Sequence, residues 1–450
     1  MKSNILLLLL FLVAFAICQQ DDAGDETSAS PDTSSAIASE TSSAIDSEIT
    51  ATPTASDSES SAVPTATSSD ATAQPTSIES DLPTAVNKTV NPTVCQNLQQ
   101  LYKSLNGNTW IVRTGWDSAD MSTCCSWYNV HCNSIGQVLK LDLAYNNLVG
   151  QLPNNFDQFP DLQNMLNIPP CSSVLCSNLD VNQLSGGLPA GLSTLVNLTN
   201  IHLKNNSFTG TIPDAWANMK SLQNLYLSNN NLTGTFPTVV TQMTSLQSLY
   251  LDNNALNGFL PANLGSASSL VQLNIKDNHL LGNIPASVGN MTNLQSLVMS
   301  HQMLNGSIPD EIYSLLKLEV LDLSNNRLTG NLSPKLGQLV NVKKLNLGHN
   351  AITGPIPSQI DQLTKLESLN LNYNALNGQF PSSMAPPALG YCYMTPNQFQ
   401  SCPDLSIVNN PQSLAFQCSV DCVKNSAEGN QVGCLLASVV AVIAAFGLLM

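Results

Sequence analysis

The apolar positions between residues 138 and 381 follow one pattern, written ten times. In the copy that begins at Leu222, the apolar residues Leu222, Leu225, Leu227, Leu232 and Phe236 are spaced to point inward, with Tyr226 and Ser228 alternating outward. Alternation around Leu225 and Leu227 predicts a short strand of period two. Glycine recurs at Gly150, Gly186, Gly210, Gly234, Gly258, Gly282, Gly306, Gly330, Gly354 and Gly378, every 24 residues except for a first interval of 36. Asparagine stands four residues before each glycine, from Asn146 to Asn374, with Gln302 as the exception. Proline follows each glycine by three, with Ser333 as the exception. A fixed period of this length predicts a solenoid, because one coil cannot bury its apolar face alone and stacked coils can. The column of asparagines has donors and acceptors enough to satisfy turn backbone from coil to coil. Glycine allows the bend that follows, and proline ends strand growth and sets an irregular or 3-10 return.

The segment Leu225-Tyr-Leu-Ser-Asn-Asn-Asn-Leu-Thr-Gly-Thr-Phe-Pro237 resembles the plant-type leucine-rich repeat, LxLxxNxLxGxIP. Polygalacturonase inhibitors and receptor-kinase ectodomains carry that repeat. The resemblance extends over residues 95–381. It implies an α/β leucine-rich-repeat solenoid: a right-handed superhelix with a parallel sheet on the concave face, a 3-10 or irregular convex side, and disulfide caps at both ends. Upstream, Cys124-Cys-Ser-Trp-Tyr-Asn-Val-His-Cys132 resembles the family's CCxWxGVxC cap, with Asn129 in place of glycine and Trp110 and Trp116 before it. The resemblance implies the pairs Cys95–Cys124 and Cys125–Cys132, and a helix near residues 95–105 is suited to cover the open core.

The remaining chain divides by composition. Residues 1–18 read as a secretory signal: Lys2, then an apolar run, then small residues at Ala14, Ala16 and Cys18. Residues 19–94 form an acidic stalk without aromatic residues, in which Ser and Thr supply 29 of the 74 residues 21–94. Such a stretch cannot offset its ordering entropy and reads as disordered, either an O-glycosylated brush or a plain linker. Residues 95–137 are the N-terminal cap, 138–381 the ten repeats, and 382–424 a C-terminal cap. Twelve surplus residues near 166–177 interrupt the second repeat; they hold Cys171 and Cys176, spaced for a disulfide-closed loop, although a misassigned coding segment of that length would also keep the frame. Cys392, Cys402, Cys418 and Cys422 suit an oxidised C-terminal cap, with Cys392–Cys402 the expected closure. Residues 425–450 read as a lipid-anchor signal, with Asn425 as the attachment point and an uncharged apolar run over 432–450; the alternative is a single transmembrane helix.

The net charge of −16 argues against nucleic acid as a partner. The sequence holds no coherent catalytic set, metal motif or cofactor fingerprint. Its five histidines are scattered; His301 and His349 fall at one repeat position, two coils apart, too far to share a metal. Sequons stand at Asn87, Asn197, Asn205, Asn231, Asn290, Asn305 and Asn331. The outward strand positions supply the candidate binding residues His202, Lys204, Asn224, Tyr226, Tyr250, Asp252, Asn274 and Lys276. Tyr226 and Tyr250 occupy equivalent positions and should stack about 5 Å apart beside His202. Together these features predict a non-enzymatic cell-surface module on the outer leaflet or in the wall. Its ligand would be an extracellular protein, peptide or polysaccharide. The alternatives are an adhesive wall component and an inhibitor of secreted glycoside hydrolases, the latter only from the resemblance.

Overall fold

The structure is a computed structural model and describes residues 90–165, 179–401 and 403–418. The expected signal, most of the stalk, the surplus segment with Cys171 and Cys176, Cys402, Cys422, Asn87, Asn425 and the apolar run 432–450 all lie outside the described residues.

The alternation about each central leucine produces one long sheet. Twelve strands pair in chain order, from Val130–Cys132 to Tyr391–Tyr393. The first pairs antiparallel with Val138–Leu141, and every later neighbour is parallel. The ten repeats supply ten of these strands, and each cap adds one. Register is strict, with Leu225 facing Leu249 and Leu249 facing Leu273. The inward residues Leu222, Leu225, Leu227, Leu232 and Phe236 are buried. Ser228 departs from its expected exposure: it is buried, and its hydroxyl donates to the Asp252 carboxylate in the next coil at 2.6 Å.

After the strand, the asparagine column closes the turns. Asn230 Oδ1 accepts the Phe208 N–H at 3.0 Å, in the preceding coil, and its Nδ2 donates to the Leu203 and Leu227 carbonyls at 2.9 and 3.0 Å. Every later asparagine rung repeats this. At the N-terminal end Asn146 bonds Val112 of the cap, and at the C-terminal end Asn397 serves as an eleventh rung, accepting from Leu376. Gln302 keeps both bonds to the preceding coil, to Leu280 N–H and the Ile275 carbonyl, and forms none within its own turn. The residue before each of the ten repeat rungs has a left-handed backbone, as at Asn205, Asn229 and Asn253. His301 and His349 sit in this turn column, at φ of 54° and 55°, and not on the sheet.

Gly234 has φ of 86°, and a Cβ there would lie 2.7 Å from Thr211 Cγ2, so both conformation and space require glycine. The segments around these glycines pair into three shorter parallel sheets beside the long one. Proline then precedes a 3-10 turn in most coils, as Pro213 does before Asp214–Asn218. In the eighth coil Ser333 takes the cap position and Pro334 follows it into the turn.

Both ends of the core are covered. The helix Pro92–Ser104, capped by Asn91, buries Cys95, Leu98, Leu101 and Tyr102 against the first coil. Its first turn begins at Pro92, so residues 92–94, assigned to the stalk by composition, belong to the cap. Tyr102, Trp110, Trp116 and Trp127 pack ring on ring over the opening. Cys95 pairs with Cys124 and Cys125 with Cys132. At the other end Cys392 pairs with Cys418, not with Cys402 as expected. Cys392 occupies the inward slot in register with Leu369, and its sulfur is bonded to Cys418 at the end of the short helix Leu414–Gln417 that closes the core.

Candidate binding face

The parallel register gathers all eight candidate residues on the concave face of coils three to six. His202, Tyr226, Tyr250 and Asn274 are direct neighbours in one row. Asn224 lies in the row before, where its Nδ2 donates to Asn200 Oδ1 at 2.6 Å. Lys204, Asp252 and Lys276 form a third row at the strand exits. Lys204 lies 3.8 Å from the buried Asp180, and Lys276 lies 3.5 Å from Asp277.

The aromatic row has a definite orientation. Ring centroids are 4.4 Å apart for His202 and Tyr226 and 5.0 Å apart for Tyr226 and Tyr250. The ring planes are tilted by 44° and 30°, between stacked and edge-on, so each ring covers part of its neighbour. The Lys204 ammonium sits 5.1 Å from the Tyr226 centroid. The row thus offers half-buried, mutually tilted rings and their polar tips to the concave space. Burial, with Lys204 adding to it, lowers the His202 pKa to about 3, so the imidazole is neutral near pH 7. Burial also raises the Tyr250 phenol, aided by Tyr226 and Asp252, and its hydroxyl donates to Gln272 Oε1 at 2.8 Å. Tyr250 thus stays protonated and serves as a hydrogen-bonding group.

Asp180 and Gln272 were missed by the sequence reading. Asp180 stands 24 residues before Lys204 in the same column, but the surplus segment hides the alignment. Gln272 was recognisable as the outward neighbour of Leu273. His301 and His349 are not part of this face; His349 stacks on Tyr373 at 4.2 Å along the turn edge. Among the described residues no group of three His, Cys, Asp or Glu side chains could hold a metal, and no helix is long and apolar enough to cross a membrane. The six sequon asparagines within the described residues are all exposed. They lie on the turn edge (Asn205), the shorter sheets (Asn231, Asn305, Asn331) and the 3-10 side (Asn197, Asn290), so none stands on the concave strands.

This geometry is that of a leucine-rich-repeat solenoid, and comparison with known proteins agrees. Leucine-rich-repeat family models match residues 196–256, 316–355, 137–159, 269–291 and 365–386. The chain thus carries leucine-rich repeats, arranged as in plant receptor ectodomains. It is 35% identical over 104 residues to MDIS1-interacting receptor like kinase 1 of Arabidopsis thaliana, a match covering 20% of this chain and 10% of that protein. The plant peptide hormone receptor RGFR1, solved in complex with RGF2, is 28% identical with a TM-score of 0.55, covering 61% of this chain and 42% of the receptor chain. PEPR1, solved with AtPEP1, is 28% identical with a TM-score of 0.57, over 68% of this chain and 45% of the other. The chain therefore spans a tenth of the length of the curated relative and less than half of each receptor chain.

Proposed function

We propose that this protein is a non-enzymatic binding module of the cell surface that captures an extracellular peptide on the concave face of coils three to six, with receptor complexes as its setting. The observation that carries this reading is the stack of His202, Tyr226 and Tyr250. A sugar ring is gripped through a broad exposed aromatic face, whereas an extended peptide is read by edges, hydroxyls and amides. Half-buried rings that partly cover one another, with the Tyr250 hydroxyl and Gln272 amide beside them, favour the second kind, flanked by Asn224, Asn274 and the charges Lys204, Asp252 and Lys276. The similarity to RGFR1 and PEPR1 adds weight, as does the restriction of sequons to the other faces. The segment 425–450 fits a lipid anchor added at Asn425, placing the module on the outer leaflet, where signalling would pass through a membrane-spanning partner.

The test uses the secreted chain, an array of synthetic extracellular peptides and a panel of wall oligosaccharides. At least one peptide should bind saturably, and Tyr250→Ala should weaken it by about tenfold, the usual cost of a central interface side chain. Lys276→Thr turns Asn274-Ile-Lys276 into a sequon, and the glycan it recruits should block binding, where Lys276→Val, of the same shape without a sequon, only weakens it. Saturable binding of oligosaccharides alone, or binding indifferent to the glycan at Asn274, would refute the reading.

A further inference from the structure

The C-terminal cap differs from the rest of the surface. Of the fourteen large hydrophobic side chains exposed among the described residues, five crowd into it: Met384 at 45%, Tyr391 at 66%, Tyr393 at 56%, Leu405 at 55% and Phe416 at 48%. Scattered single apolar side chains are ordinary on a surface, but a concentration at one end marks an interaction site. The same stretch is almost without charge: Asp404 is the single charged residue in 382–418. The cap thus offers aromatic and aliphatic side chains with hydroxyl tips and no electrostatic bias.

What lies next along the chain selects the occupant. The described fold ends at Cys418, and in the anchor reading the lipid is added at Asn425, seven residues on. Seven residues span at most about 25 Å. The bilayer that holds this lipid would therefore lie close to this end of the solenoid. Tyrosine and phenylalanine are the side chains that settle at a membrane–water boundary, with the ring among acyl chains and the polar tip among headgroups.

We infer that the C-terminal cap docks on the lipid headgroup layer through Met384, Leu405 and Phe416, with Tyr391 and Tyr393 at the adjoining sheet edge, so that the solenoid stands on the membrane by its end. The inference rests on the anchor reading of residues 425–450. Because the cap brings no Lys or Arg, docking requires no anionic lipid and is insensitive to salt.

Native tryptophan makes the test direct. Trp110, Trp116, Trp127 and Trp216 are all buried, and all lie in the first half of the chain. Phe416→Trp adds a reporter on the cap, and Phe259→Trp adds one at an exposed mid-solenoid position as a control. Full-length membrane-anchored protein is reconstituted into phosphatidylcholine vesicles, with and without bromine on the acyl chains. The Phe416→Trp emission should shift to the blue and be lost with brominated lipid, at low and high salt alike, while that of Phe259→Trp is unchanged. Protein that floats with the vesicles yet shows no quenching at position 416 overturns the docking and leaves the anchor intact. A blue shift that instead follows protein concentration in lipid-free detergent overturns it in favour of a second copy of the chain. Protein that fails to float removes the anchor, and the inference with it.

Discussion

Asn254 shows how much one side chain does here. Its Oδ1 accepts the Leu232 N–H, and its Nδ2 serves the Leu227, Leu251 and Asp252 carbonyls at 3.0 to 3.2 Å. Asn254→Ala leaves these groups buried without partners and should cost about 1–3 kcal/mol in a urea melt. Gln302 holds two such bonds, so Gln302→Ala should cost less, and Gln302→Asn should recover stability by restoring bonds to the Met299 and Ser300 carbonyls. Equal melts for all the variants would dismiss the ladder. His202 gives a pH dependence of known sign. Its folded pKa, near 3, lies below the ordinary 6.5, so between these values the unfolded chain binds the extra proton. The stability that His202 confers is intact above pH 6.5 and is lost as the pH falls towards 3, on the order of a few kcal/mol over the window. His202→Phe should flatten the melting curve against pH in that range; an unchanged profile would contradict the burial argument. The asparagine, glycine and leucine columns were legible because each answers to a fixed geometry. The orientation of the tyrosine rings was not, since a period fixes where a side chain starts and not how it turns against its neighbours.

At the scale of elements, strands and turns followed from the repeat, but ends did not. Inside the solenoid each coil meets a copy of itself, so one reading serves every strand. A cap meets the core on one side and solvent on the other, and its contacts are particular. The Cys125–Cys132 bridge closes a short local loop and agrees with what the cap motif implied. The Cys392–Cys418 bridge spans 26 residues and joins the last strand to a helix that has no counterpart in the repeat. Proximity in sequence favoured Cys402 for that pairing, whereas the packing of Leu414–Gln417 beneath the final coil decided it. Ser228 is a similar case within the repeats. Its outward position places it at the rim, where the Asp252 carboxylate of the next coil draws it under cover.

For the whole molecule, the rungs have one further consequence. Each side chain bonds only its own coil and the coil before it, and none reaches two coils away. Removing residues 255–278 would leave Asn254 followed by His279, with Gln302 still accepting from Leu280 and now donating to Leu251 in place of Ile275. Every column would be restored one coil shorter, and the shortened chain should fold with a cooperative melt. Removing half that length would misalign every column downstream and should abolish it. Size in this protein is therefore quantised: its lineage could lengthen or shorten the reading surface by whole steps, as one adds or removes links from a chain, without redesigning any core.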